Sequence, residues 1–166
     1  MREIKIEKVT LNMGTGEPGE KLDKAVKLLK SISGENPVKT VTQKRIPMWK
    51  IRPGLNIGTK VTLRKEKAQK LLKRLLQAKN NQLKASNFDE NGNFSFGIKE
   101  YLDIPEAKYD AEVGIIGLEV AVTLQRPGFR IKRRRVKTKK IPKKHRIPKQ
   151  EAIEFMKKNY GIEVEQ

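Results

Sequence analysis

The chain has no cysteine and only one histidine and one tryptophan in 166 residues. Each scarcity removes a class of chemistry. Without thiols there is no disulfide, no thiolate zinc site and no cysteine nucleophile, and secretion gains no support. One histidine cannot build a metal cluster or a relay of imidazoles. Long apolar runs are missing as well, so no window approaches a membrane span. The first 14 residues alternate charged and apolar side chains instead of forming the apolar core of a signal peptide. These absences predict a soluble, intracellular protein. Negative charge is scarce too, with 19 Asp and Glu against 38 Lys and Arg.

What is present is concentrated positive charge. Residues 129–149 hold 12 Lys and Arg and no carboxylate, and residues 39–74 hold 12 against the single Glu66. Those blocks supply +12 and +11 of the formal +19, leaving −4 on the other 109 residues. Charge segregated in this way on a foldable chain points to a shaped surface for a polyanion, most readily nucleic acid. A membrane-lying basic helix is disfavoured, because Pro142 and Pro148 interrupt the second block. No membrane partner is expected. His145 lies among Lys143, Lys144 and Arg146, which repel metal cations, so it reads as an RNA-facing or solvated side chain.

The periodicity predicts an α+β fold, with an antiparallel or mixed sheet and helices packed on one face. A strand spans Ile4–Met13, with a phase change near Glu7-Lys8 where the apolar parity switches from Ile4 and Ile6 to Val9, Leu11 and Met13. Pro18 suits the first turn of a helix that carries Leu22, Ala25, Val26, Leu29 and Ile32 and stops at Gly34. Short strands follow at Val38–Thr42 and Ile57–Leu63. A helix over Lys65–Lys79 has the stripe Ala68, Leu71, Leu72, Leu75 and Leu76, with Asn80-Asn81 ending it. Strands are expected again at Phe94–Ile98 and Leu118–Leu124, and Pro148 opens a last helix reaching Asn159. The expected organisation is a single RNA-binding domain over 1–128, a basic arm over 129–149, and a terminal helix over 150–166 packing on or near the domain.

Gly14-x-Gly16-x-x-Gly19 follows a strand, opens a helix and matches the dinucleotide fingerprint. Against it, Pro18 removes an amide from the phosphate cradle and the preceding strand alternates instead of reading as a buried parallel one. A tight strand-to-helix turn, or a turn offering amides to an RNA phosphate, accounts for the same residues. Asp103, Glu106, Asp110 and Glu112 are the one acidic cluster, with no nucleophile nearby, and read as a solvated or protein-contacting loop. The loop Gln43–Gly54 is more informative. It interleaves Lys44, Arg45, Lys50 and Arg52 with Met48, Trp49 and two prolines. Cations and an aromatic ring on one loop can neutralise phosphate and stack on a sugar or base. Two readings of Trp49 stand: stacking on RNA, or packing in the core.

Four stretches occur in one order: Val9-Thr10-Leu11-Asn12-Met13-Gly14; Lys50 through Arg64, which contains Arg52-Pro53-Gly54 and Val61-Thr62-Leu63-Arg64; Asn93-Phe94-Ser95-Phe96-Gly97-Ile98; and Ala121-Val122-Thr123-Leu124-Gln125-Arg126-Pro127-Gly128. Together they resemble the ribosomal protein five family of the large subunit, whose members bind 5S ribosomal RNA. The resemblance covers essentially the whole chain. Arg126-Pro127-Gly128-Phe129 and the basic arm are similar to the archaeal–eukaryotic branch, and the chain starts directly at the first strand, without the helical segment of bacterial members.

The resemblance implies a non-enzymatic structural protein of the cytoplasmic large ribosomal subunit that helps attach 5S rRNA in the central protuberance. It implies 5S contacts at Asn12, Met13, Gly14, Thr62 and Arg64, to which Lys39 and Lys60 are added for their charge. Glu35 stands where bacterial members often have Gln, so a contact there would be to a base amine or a 2′-hydroxyl. The family's loop toward peptidyl-site tRNA maps to Lys44, Arg45, Met48, Trp49, Lys50 and Arg52. The arm would bind 23S-type rRNA through Arg130, Lys132, Arg133, Arg134, Arg135, Lys137, Lys139, Lys140, Lys143, Lys144 and Arg146. It is expected to be disordered until RNA orders it. A surface bridging to the small subunit maps loosely to residues 100–115. Neighbouring large-subunit proteins are the other implied partners. No cofactor, metal or homo-oligomer is implied. Two rival readings are a nucleotide-dependent enzyme built on Gly14–Gly19 and a general RNA chaperone or tRNA-binding factor working mainly through the arm.

Overall fold

In the computed structural model of the chain, which describes residues 1–107, 109 and 114–165, strands and helices mix as an α+β fold. The elements are β1 (Lys5–Gly14), α1 (Glu20–Ser33), β2 (Val38–Val41), β3 (Asn56–Arg64), α2 (Lys65–Gln77), β4 (Gln82–Lys84), β5 (Phe94–Ile98), β6 (Leu118–Gln125), α3 (Lys149–Tyr160) and β7 (Glu163–Glu165). Five strands form one sheet in the order β2-β3-β1-β6-β5, and β4 pairs with β7 in parallel. The chain groups into two compact units, one of residues 1–9, 64–96 and 121–166, the other of residues 10–63 and 97–120.

The second unit holds α1, β2, the second half of β1 and most of β3. Leu11 and Met13 of β1 and Val61 and Leu63 of β3 are buried, while Thr10, Asn12, Lys60 and Thr62 between them face outward. Period-two alternation therefore makes one apolar and one polar sheet face. Helix α1 buries Leu22, Ala25, Leu28, Leu29 and Ile32; Leu28 takes the place expected of Val26, which is half-buried. Gly34 closes it in the left-handed conformation and donates its amide to the Lys30 carbonyl. Pro18 lies before the Gly19 cap rather than in the first turn, so the helix starts two residues later than expected. Gly58 is required by crowding: a Cβ there would lie 2.9 Å from both the Met13 carbonyl oxygen and Thr40 Oγ1.

In the first unit, β3 ends at Arg64 and α2 starts at Lys65 with no connecting loop. The expected stripe of Ala68, Leu71, Leu72, Leu75 and Leu76 is buried throughout, each leucine worth about 1.5–3 kcal/mol of transfer free energy. Asn80 and Asn81 stop the helix in left-handed conformations, which asparagine tolerates better than most residues. The parity switch predicted near Glu7-Lys8 is visible in burial, since Ile6 and then Val9 are buried with two half-buried residues between. Pro148 caps α3 from outside instead of starting it, and Gly161 ends it. Helix α3 buries Ala152 and Met156.

Candidate nucleic-acid interface

The polar sheet face of the second unit is short-chained and pre-arranged. Thr10 Oγ1 and Thr62 Oγ1 lie 3.5 Å apart on β1 and β3. Asn12 Nδ2 donates to Glu119 Oε2 at 3.1 Å, which fixes the amide and leaves its carbonyl oxygen as an acceptor. Glu119 and Thr10 were missed by sequence reasoning; a lone glutamate and a β-strand threonine carry no local signal of this pairing. Lys60 stands exposed on the same strand as Thr62. Lys39 of β2 is held by Asp23 at 2.7 Å, so part of its charge is already neutralised. Met13 is buried, which leaves its backbone and that of exposed Gly14 for any contact.

The turn after β1 is not an open phosphate cradle. The amides of Thr15 and Gly16 both donate to the Ile57 carbonyl, at 3.0 and 3.1 Å. The Thr15 hydroxyl donates to the Glu17 and Ile57 carbonyls. Glu20 and Asp23 occupy the first turn of α1, where their charge satisfies the positive end of the helix dipole and opposes a phosphate. A dinucleotide site there would therefore lose the Thr15 and Gly16 amides to Ile57 and meet an unfavourable field.

Residues 42–55 form a hairpin. Ile46 and Ile51 exchange backbone hydrogen bonds at 3.0 and 3.1 Å, and Thr42 and Leu55 continue the ladder. Pro47–Trp49 make a tight 3₁₀ turn closed by Lys50 in the left-handed conformation. Ile51 is buried beneath the tip, whereas Met48 is 88% and Trp49 66% exposed. The structure thus decides between the two readings of Trp49: it does not pack in the core. An exposed Met-Trp pair among Lys44, Arg45, Lys50 and Arg52, all exposed, provides a stacking surface ringed by cations.

In the first unit the basic segment is braced by its own chain. Ile141 and Ile147 are buried, and Ile147 packs so closely on the turn at Gly92 that a Cβ there would come within 2.7 Å of its Cγ2. Short 3₁₀ turns form at Phe129–Lys132 and Lys143–His145. His145 Nε2 donates to the Pro127 carbonyl at 2.9 Å, and its ring meets Phe129 edge-on. One ring nitrogen is thus committed to the chain while the side chain stays half-exposed; neighbouring cations say nothing about a carbonyl 18 residues away. Arg126 is only 4% exposed and donates to Glu151 and to the Arg146 carbonyl. Glu7, nearly buried at the phase change of β1, pairs with both Arg64 (3.5 Å) and Arg133; Arg133 also donates to Gln125 Oε1 at 2.8 Å. Two arginines assigned to RNA are thus shared with a carboxylate that sequence reasoning passed over. Arg130, Lys132, Arg134, Arg135, Lys137, Lys139, Lys140, Lys143, Lys144 and Arg146 are all exposed. Of the acidic cluster, Asp110 and Glu112 lie outside the described residues.

Residues 1–52 match the model of ribosomal protein L5, and residues 56–157 match the model of the same family's C-terminus. The chain belongs to the ribosomal protein L5 family. It is 55% identical to large ribosomal subunit protein uL5 of Nanoarchaeum equitans over 99% of this chain and 97% of that protein. The protein of the same name from Sulfurisphaera tokodaii is 50% identical over 99% and 93% of the two chains, and that from Methanosphaera stadtmanae 47% over 96% and 95%. A member of this family is a ribosomal protein of the large subunit, located with the ribosome in the cytoplasm, and not an enzyme. The expected family and its archaeal type are borne out by these relatives.

Proposed function

We propose that this chain binds 5S rRNA and helps fix it in the central protuberance, with its long hairpin directed at peptidyl-site tRNA. The polar row of Thr10, Asn12 and Thr62 on the second unit's sheet, beside exposed Lys60, carries the reading. Short hydroxyl and amide groups on rigid strands suit ribose and base edges, and the neighbouring cations suit phosphate. Arg64 contributes a phosphate contact once it is shared away from Glu7, and the Met48–Trp49 tip supplies the tRNA-proximal surface. The arm adds 23S-type rRNA. Residues 100–115, of which 108 and 110–113 lie outside the described residues, face a small-subunit partner.

Titration of the intact protein with 5S rRNA and with an unrelated RNA of equal length at one moderate salt concentration tests the reading. Specific binding gives a large affinity ratio, and Asn12→Ala with Thr62→Val shrinks that ratio while the affinity for unrelated RNA stays put. Equal affinities of the parent protein for both RNAs would refute it. A chaperone acting through the arm predicts instead that Gln substitutions at Lys137, Lys139, Lys140, Lys143 and Lys144 abolish all RNA binding. Substitution is a cleaner test than deleting 129–149, because deletion also removes buried Ile141 and Ile147.

A further inference from the structure

A half-open cavity of about 440 Å³ lies within the first unit, under the basic segment. Its floor includes Thr123 and Leu124 of β6 and Asn91 and Asn93 of the turn before β5; its walls include Phe129, the Glu7 carboxylate and cationic side chains. The volume falls in the range of about 300–1,000 Å³ typical of small-ligand sites. Asn93 is already committed, donating from Nδ2 to Asp89 Oδ2 and accepting from the Leu124 amide, so it builds the floor instead of reading a ligand. Thr123 Oγ1 makes no hydrogen bond among the described residues, and Lys8, Lys132 and Lys140 make no ion pair there. Arg133 is held at the edge by Glu7 and Gln125. An apolar ring, a hydroxyl and three ammonium groups without partners among the described residues, together with the Glu7 carboxylate neutralised by Arg133, thus surround a space the size of one nucleotide.

We propose that this cavity receives a single extruded nucleotide of the bound ribosomal RNA. Its base would stack on Phe129 and hydrogen-bond to Thr123, and its flanking phosphates would meet Lys8, Lys132 and Lys140. The inference rests on the RNA-binding reading but adds a discrete pocket to it. Unpaired RNA bases are recognised by stacking and edge contacts, whereas phosphate alone would need neither a ring nor a cavity. Phe129 is braced by His145, which is itself anchored on the Pro127 carbonyl, so the ring is in place before RNA arrives.

Affinities of the intact protein for an RNA stem bearing one unpaired adenosine, and for the same stem fully paired, provide the test. The bulged stem should bind about tenfold more tightly, a typical worth for one base–aromatic stack. Phe129→Leu should erase that preference and leave the paired stem unaffected, and Phe129→Tyr should retain it, with melting curves confirming that all three proteins are folded. Equal affinity of the parent protein for the two stems would overturn the pocket while leaving general RNA binding intact. Failure to bind either stem, or 5S rRNA, would remove the RNA reading itself. Adenosine monophosphate competes for the cavity only weakly if it serves an RNA nucleotide; strong thermal protection by the free nucleotide in the absence of RNA would assign it to a soluble ligand and overturn the proposal.

Discussion

Replacing Arg126 with methionine should destabilise the base of the basic segment without changing how many phosphates the protein neutralises. The guanidinium donates to the Glu151 carboxylate, to the Arg146 carbonyl at 3.1 Å and, at the limit of a hydrogen bond, to the His145 carbonyl at 3.5 Å. A hydrogen bond from a charged donor contributes about 1.5–3 kcal/mol, so the two good ones set a gross loss of about 3–6 kcal/mol. Three effects reduce it. Glu151 is half-exposed and returns to water at little cost, the methionine stem keeps the apolar contacts, and a buried cation with an unpartnered Nε is removed. The net expectation is about 2–3 kcal/mol, or a fall in melting temperature of about 5–10 °C for a chain of this size. Thermal unfolding of the intact protein measures it. Salt titrations of RNA affinity then separate structure from contact: the slope of log affinity against log salt should match the parent, since Arg126 faces no phosphate. A methionine variant that melts within about 2 °C of the parent, or one with a flatter salt slope, would refute the brace.

Glu7→Gln should free Arg64 and Arg133 and tighten RNA binding severalfold at low salt, with the gain fading as salt rises; unchanged affinity in a low-salt filter-binding assay would show that the pair is not in competition with phosphate. Met48→Ala with Trp49→Ala should leave the melting temperature within about 1 °C, as surface truncations do, while weakening association with peptidyl-site tRNA in reconstituted ribosomes. Gly92→Ala, forced against Ile147 at a positive φ, should cost about 1–3 kcal/mol and make the 129–149 segment more sensitive to limited proteolysis. Burial raises the Tyr160 hydroxyl above its ordinary pKa of 10.0. The folded state therefore holds that proton more tightly, and its contribution is complete below pH 10.0 and lost as pH rises through the folded value. Melting curves above that pH should fall less steeply for Tyr160→Phe.

Elements whose cause is local were legible. The leucines of α2 recur with helical spacing, Asn80-Asn81 carries its own stop, and the parity switch at Glu7-Lys8 needs no distant partner. The misplaced details depend on neighbours. Leu28 rather than Val26 completes the α1 stripe, because the sheet beneath determines which flank of an amphipathic helix is covered. Strands β4 and β7 have three residues each and pair across 81 positions, so neither has a period to detect. The candidate site divides in the same way. The hairpin's mixture of cations and aromatics is visible in twelve consecutive residues, but exposure of Trp49 follows from the Ile46–Ile51 bridge that lifts the tip clear. Arg126, Glu7 and His145 were unreadable because each acquires its role from a partner far along the chain.

The basic segment uses its two kinds of cation differently. Arg133, Arg134 and Arg146 donate to Glu7 and Gln125, to the Lys137 carbonyl and to the Ile141 carbonyl respectively, whereas none of its lysines makes an ion pair or side-chain hydrogen bond among the described residues. Arg130 and Arg135 remain with the lysines. A guanidinium is a planar fork suited to bridging fixed acceptors, and an ammonium is a hydrated point charge that reaches phosphate without demanding geometry. The twelve cations are therefore not twelve equivalent RNA contacts. Arg133, Arg134 and Arg146 brace the segment, and the lysines, with Arg130 and Arg135, project from the shape they hold. Affinity then scales with the lysines, Arg130 and Arg135, while the position of the segment, and with it any discrimination among RNAs, depends on the three bracing arginines and the two buried isoleucines.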